Sequence, residues 1–103
     1  MSSYLVQILV PKETGKGAPV SQDWFETFLK ELTDKFGGAT SFVRSPGQGL
    51  WRDGGKTERD SIAVVEVMAE ELAEEYWRSL RERLERDLLQ DEIVIRGQRI
   101  IRL

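Results

Sequence analysis

The chain has 103 residues, 40% of them hydrophobic and 32% charged, and its 15 basic and 18 acidic side chains leave a net charge of -3. That length suits one domain, which buries roughly 65% of the surface its unfolded chain exposes. Cysteine and histidine are both absent, so disulfides, thiolate nucleophiles, Ser-His-Asp chemistry and zinc–thiolate sites are excluded. Catalysis would have to rest on carboxylates, Tyr, Lys or Arg, an oxyanion-type pocket or a borrowed cofactor, and a hard cation bound only by oxygens is the remaining metal option.

The first ten residues, MSSYLVQILV, carry no basic leader pattern and too short an apolar run to span a membrane. They read as the start of a cytoplasmic protein, with a strand over Tyr4 to Val10 stopped by Pro11. Lys12 to Pro19 is a loop by its Gly and Pro content. Its Gly15-Lys16-Gly17 run lacks the spacing of a phosphate loop, and no cofactor is expected.

A helix follows, with Ser21 as N-cap and Val20 and Phe25 in the positions of a hydrophobic staple. Its apolar stripe is Phe25, Phe28, Leu29, Leu32 and Phe36, and Gly37 and Gly38 end it. Ala39 to Arg44 reads as a second strand and Ser61 to Met68 as a third. Between them lies GLWRDGGKTERD, Gly49 to Asp60, in which Asp53-Gly54-Gly55 is a hairpin-turn signal with two strand-like legs. A second helix is expected from about Ala69 to Leu89, with its stripe at Leu72, Tyr76, Leu80, Leu84 and Leu88, widened by Ala73 and Trp77. Glu92 to Leu103 is one long strand, or two short ones broken near Gly97.

The order β-α-β-β-α-β predicts a single α+β domain over residues 1–103. It is the ferredoxin-like plait, a four-stranded antiparallel sheet in the order 4-1-3-2 with both helices on one face. The other face then needs a reason to be apolar. In the first strand Tyr4, Val6, Ile8 and Val10 alternate with Leu5, Gln7 and Leu9. In the third, Ala63, Val65 and Val67 alternate with Ile62, Val64, Glu66 and Met68. Neither alternation leaves a polar face, so a cover is expected: a second copy of the chain first, or the Gly49–Asp60 arm, or a ligand.

The candidate site residues gather around that face. Glu66, inside an apolar strand, is a general base if it lies in a desolvated cleft, or half of a structural pair, for which Arg44 on the neighbouring strand is one partner. Trp51 is a packing anchor or a stacking wall. Arg44, Arg52 and Arg59 are clamps for a small anionic or aromatic ligand, or solvated partners of Asp53, Glu58 and Asp60. The acidic run Glu70 to Glu75 reads as a solvated face, and no metal site is expected. Nucleic acid is not expected as a partner, because the chain is acidic and lacks paired exposed aromatics on its strands.

The stretches VSQDWFETFLKELTDKFGGAT, GLWRDGGKTERDSIAVVEV and QDEIVI, spanning Val20 to Ile95, together resemble a family of small bacterial proteins classed as a domain of unknown function. The shared marks are a Trp hairpin, here at Trp51, and a Glu-Arg step, here Glu58-Arg59, leading into a hydrophobic strand. The resemblance implies a ferredoxin-like fold and carries no catalytic residues. Two functions follow as expectations. One is a homodimeric binding or regulatory module that uses the open face and the arm. The other is a cofactor-independent enzyme or small-molecule-binding plait with Glu66, Arg44, Arg52 and Trp51 around a pocket.

Overall fold

The structure, a computed structural model, describes residues 2–44 and 62–103. The elements run β1 (Ser2–Pro11), α1 (Gln22–Phe36), β2 (Thr40–Arg44), β3 (Ile62–Ala69), α2 (Glu74–Asp87) and β4 (Val94–Ile101). All pairings are antiparallel, in the order β2-β3-β1-β4. This is the predicted plait order read from the other edge. The last segment is a single strand, continuous through Gly97.

Hydrophobic alternation decides which way each strand faces. Val6, Ile8 and Val10 of β1 and Ala63, Val65 and Val67 of β3 are buried with Phe28 and Leu32 of α1 and Trp77, Leu80 and Leu84 of α2. Both helices therefore lie over one face, and burial of these side chains at about 25 cal/mol per Å² of apolar surface is the main force holding the layers together. An aromatic cluster ties the helices to each other: Phe36 stacks on Trp77 with ring centroids 5.1 Å apart, and Tyr76 meets Trp77 edge-on at 5.0 Å. Across the helix pair, Arg83 Nη2 donates to both carboxylate oxygens of Glu31 at 2.8 Å each.

The caps of α1 are as the residues predict. Ser21 Oγ accepts the Trp24 N–H at 3.1 Å, and Gly37 takes the left-handed conformation at φ 85 while its N–H bonds to Thr33 O. The start of α2 differs from the expectation. Ala69 is still paired with Tyr4 in the ladder, so β3 runs one residue further, and the helix begins at Glu74. The run Ala69 to Ala73 has good helix formers, but the β1 partner and the sheet register override that local preference. Leu72, expected on the helical stripe, lies ahead of the helix and its side chain rests on Gly97.

At the far end, Leu89 adopts φ 54 as α2 stops, and the β1–α1 loop docks there: Gly15 N–H donates to Leu88 O at 3.0 Å and Gln90 Nε2 to Glu13 O at 3.1 Å. Glycine is required at position 15, because a Cβ would lie 1.7 Å from Leu89 O. No described helix is long and apolar enough to cross a membrane.

Candidate functional site

The face of the sheet away from the helices is built by alternate residues of each strand. Register sets them in rows that run across the strands. One row joins Val64, Leu9 and Val94, the next joins Thr40, Glu66, Gln7 and Arg96, and the next joins Met68, Leu5 and Gln98. Among the side chains of this face, Val64 is only 2% exposed, Leu5, Leu9 and Ile62 are half-buried, and Met68 is 51% exposed.

The middle row carries the polar chemistry. Arg96 Nε donates to Gln7 Oε1 at 2.8 Å, and Gln7 Nε2 donates to Glu66 Oε2 at 2.7 Å. The Gln7 amide thus bridges a cation on β4 and an anion on β3, accepting from one and donating to the other. Both bonds involve a charged group and are stronger than neutral ones. Adjacent strands are about 4.8 Å apart, so positive and negative ends sit about 10 Å apart across the sheet. Antiparallel register turns the faces the right way: Glu66 and Gln7 alternate with buried neighbours, Arg96 lies opposite Gln7, and each side chain emerges on the same side.

Beside this row, at the junction of α1 and β2, a groove of about 410 Å³ is lined by Leu5, Gly38, Thr40, Glu66, Met68 and Arg102. Glu66 and an arginine therefore converge on one concavity, with the second carboxylate oxygen of Glu66 making no hydrogen bond to another described residue. Such a pair can bind a polar group of a small molecule, and the carboxylate can accept a proton from it.

For Arg44 the structure gives the backbone register alone. Glu66 lies opposite Thr40 and Arg44 lies opposite Ile62, which separates the two by four ladder positions, about 13 Å along the strand. Among the described side chains the hydrogen-bond partner of Glu66 is Gln7. Trp51, Arg52 and Arg59 lie outside the described residues. Sequence reasoning missed Gln7, Arg96 and Arg102 as members of the site. The signal for Gln7 was present, since it is the one polar residue in the apolar run Leu5 to Val10, whereas β4 does not alternate and gave none for Arg96. Arg102 follows β4 and carried no such pattern. Among the described residues no group of three acidic side chains is arranged to hold a metal ion.

No family model matches the chain, and no curated protein matches it. Among solved structures it is similar to a phage SAM lyase in complex with S-methyl-5'-thioadenosine. The TM-score is 0.61 at 13% sequence identity, over 93% of this chain and 80% of that one. At that identity the likeness is one of fold: a four-stranded plait with two helices on one face.

Proposed function

We propose that the protein is a homodimeric binding module of the cytoplasm whose working surface is the open sheet face, and that it belongs to the bacterial family its motifs resemble. The observation that carries this reading is the row Glu66–Gln7–Arg96 set among apolar side chains. The row is self-complementary. Turning a second copy by half a turn about an axis along β1, above Gln7, lays its β3 over the first copy's β4. Each Glu66 then faces an Arg96 of the partner subunit, while Leu5, Leu9 and Met68 are removed from water. Two-fold pairing of this kind is the commonest oligomer geometry, and aligned sheets pack about 10 Å apart. The face measures about 25 Å by about 15 Å, at the small end for a stable interface, so micromolar association is expected.

Light scattering across a concentration series tests it. The expected mass at high concentration is twice that of the chain. Glu66→Arg and Arg96→Glu each weaken association about tenfold or more, and the double charge exchange restores it. A monomer throughout the series, or a double variant no better than either single, overturns the reading.

The groove holding Glu66 and Arg102 supports a second reading, a small-molecule-binding plait, to which the SAM lyase's nucleoside-type ligand is a guide. Calorimetry with S-methyl-5'-thioadenosine as probe tests it. Binding that Glu66→Gln abolishes supports the groove as the site, and heats indistinguishable from dilution remove this reading.

A further inference from the structure

A second hollow lies on the opposite side of the sheet, beneath the first turns of α2. It has a volume of about 250 Å³. Val6, Ile95 and Leu72 form its apolar wall, and Trp77, Arg78 and Arg81 bring nitrogen donors, with Glu74 at the same lining. The helix explains the clustering, since Glu74, Trp77, Arg78 and Arg81 stand three and four residues apart on one face, about 6 Å from one to the next. The sheet explains the space. Gly97 has no side chain, so Leu72 closes the hollow by lying against the backbone of β4, its Cδ1 only 3.0 Å from where a Cβ on Gly97 would be.

Two residues of this lining each carry a donor that is shielded from water and has no acceptor among the described residues. The donors are the indole Nε1 of Trp77, a residue only 5% exposed, and the guanidinium Nε of Arg81. An unpaired buried donor is unfavourable, so two of them on residues that line one cavity mark a place where an acceptor-bearing occupant would be favoured. The lining also specifies the charge of that occupant. Arg78 and Arg81 are cationic and Glu74, 4.0 Å from Arg78, is anionic, which leaves one positive charge. A phosphate dianion would exceed it and would meet Glu74, whereas one carboxylate balances it. The volume corresponds to about eight waters, or to an organic acid of roughly ten non-hydrogen atoms. Leu72, 36% exposed and in the stretch 70–73 outside any helix or strand, is the lining side chain with room to shift as an acid enters.

We propose that this hollow is a binding site for a small organic monocarboxylate. Its carboxylate is held by Arg81 and Arg78 and accepts the Trp77 indole N–H, and its apolar body lies against Val6, Ile95 and Leu72. The site is independent of the open face, because alternation in β1 and β4 directs its sheet residues to the helix side.

The test is a nitrogen-15 NMR titration of the full chain. Three tryptophans, Trp24, Trp51 and Trp77, give indole N–H signals, and Trp77→Phe assigns the relevant one. The probes are phenylacetate, hexanoate and benzoate, with phenylacetamide as the neutral counterpart. The expected result is a saturable downfield shift of the Trp77 indole signal with at least one acid. Binding of that acid should be at least about tenfold tighter than binding of the amide, and about tenfold weaker in Arg81→Gln. Arg78→Gln, at an exposed position, gives the same comparison should Arg81→Gln fail to fold. An unmoved Trp77 signal with all three acids at about 20 mM, an equal response to the amide, or unchanged affinity in the arginine variant overturns the proposal.

Discussion

Replacing Tyr76 by Phe is expected to stabilise the protein. The ring of Tyr76 is held between Phe36 and Trp77, with Lys35 Nζ 4.5 Å from its centroid. Those contacts survive the substitution. What is lost is a hydroxyl that is shielded from water and has no hydrogen-bond partner among the described residues. Burying a hydroxyl without a partner costs about 1–3 kcal/mol in proteins, and only part returns because the phenol also makes dispersion contacts. We therefore expect a gain of about 1 kcal/mol. For 103 residues, an unfolding entropy of about 2.1 cal/mol/K per residue converts that gain to about 4–5 °C in Tm.

Urea denaturation at pH 7 is the direct assay, and Cm should rise with the m-value unchanged. The pH dependence gives a second signature. Burial pushes the Tyr76 phenol above its ordinary value of 10.0, the Glu31 carboxylate pushes it the same way, and Arg83 opposes both. The folded state therefore holds this proton more tightly than the unfolded state. Its contribution is complete below pH 10.0 and is lost as the pH rises through the raised folded value. Tyr76→Phe should lack that alkaline loss. A variant less stable than the parent at pH 7 would refute the reasoning, since the hydroxyl would then have an acceptor, and an unchanged alkaline slope would mean that Tyr76 is not the titrating group.

Three further outcomes follow from the same contacts. Gly15→Ala should cost about 2 kcal/mol or more in urea denaturation, because the added Cβ meets the Leu89 carbonyl at 1.7 Å and the backbone must move; a neutral result would mean that the β1–α1 loop is not seated on the end of α2. Ala73→Ser should raise stability by about 1 kcal/mol in a thermal melt followed by circular dichroism, since Ala73 is the N-cap of α2 and its side chain makes no cap hydrogen bond. A double-mutant cycle on Glu31→Gln and Arg83→Met should give a coupling of about 0.5–1 kcal/mol that shrinks in high salt, the range for partly exposed pairs.

How far the residues revealed this in advance depended on whether local chemistry or long-range pairing decided the matter. Ser21 and Gly37 cap α1 through bonds to residues within four positions of themselves, and those were legible. The alternation of Val6, Ile8 and Val10 against Leu5, Gln7 and Leu9 was likewise enough to define two faces. The beginning of α2 was not legible, because Ala69 is claimed by Tyr4 from the other end of the chain. The partner of Glu66 was hidden for a related reason. Being on neighbouring strands says only that Arg44 and Glu66 share a sheet, and register decides whether they meet. The β2–β3 connection of 17 positions, 45–61, is too long to fix register by turn type. Trp77 read as part of the apolar stripe of α2, and only the gap left by Gly97, with Leu72 against it, gives that residue a cavity.

The two proposed sites share strands but not side chains, and that makes them separable. Val6 and Gln7 are consecutive in β1, as are Ile95 and Arg96 in β4, and strand alternation sends one of each pair under α2 and the other to the open face. A backbone change in β4, such as any substitution of Gly97, would disturb both and would decide nothing. Side-chain changes act on one face at a time. Arg81→Gln alters the hollow and leaves Glu66, Gln7 and Arg96 in place, whereas Arg96→Glu reverses one end of the polar row and touches nothing beneath the helix. If Arg96→Glu dissociates the dimer while the Trp77 indole still responds to acid, the open face and the hollow are independent binding surfaces. If it abolishes both, the hollow is formed only in the dimer, and the assignment of its ligand to Arg78, Arg81 and Trp77 of a single chain is wrong.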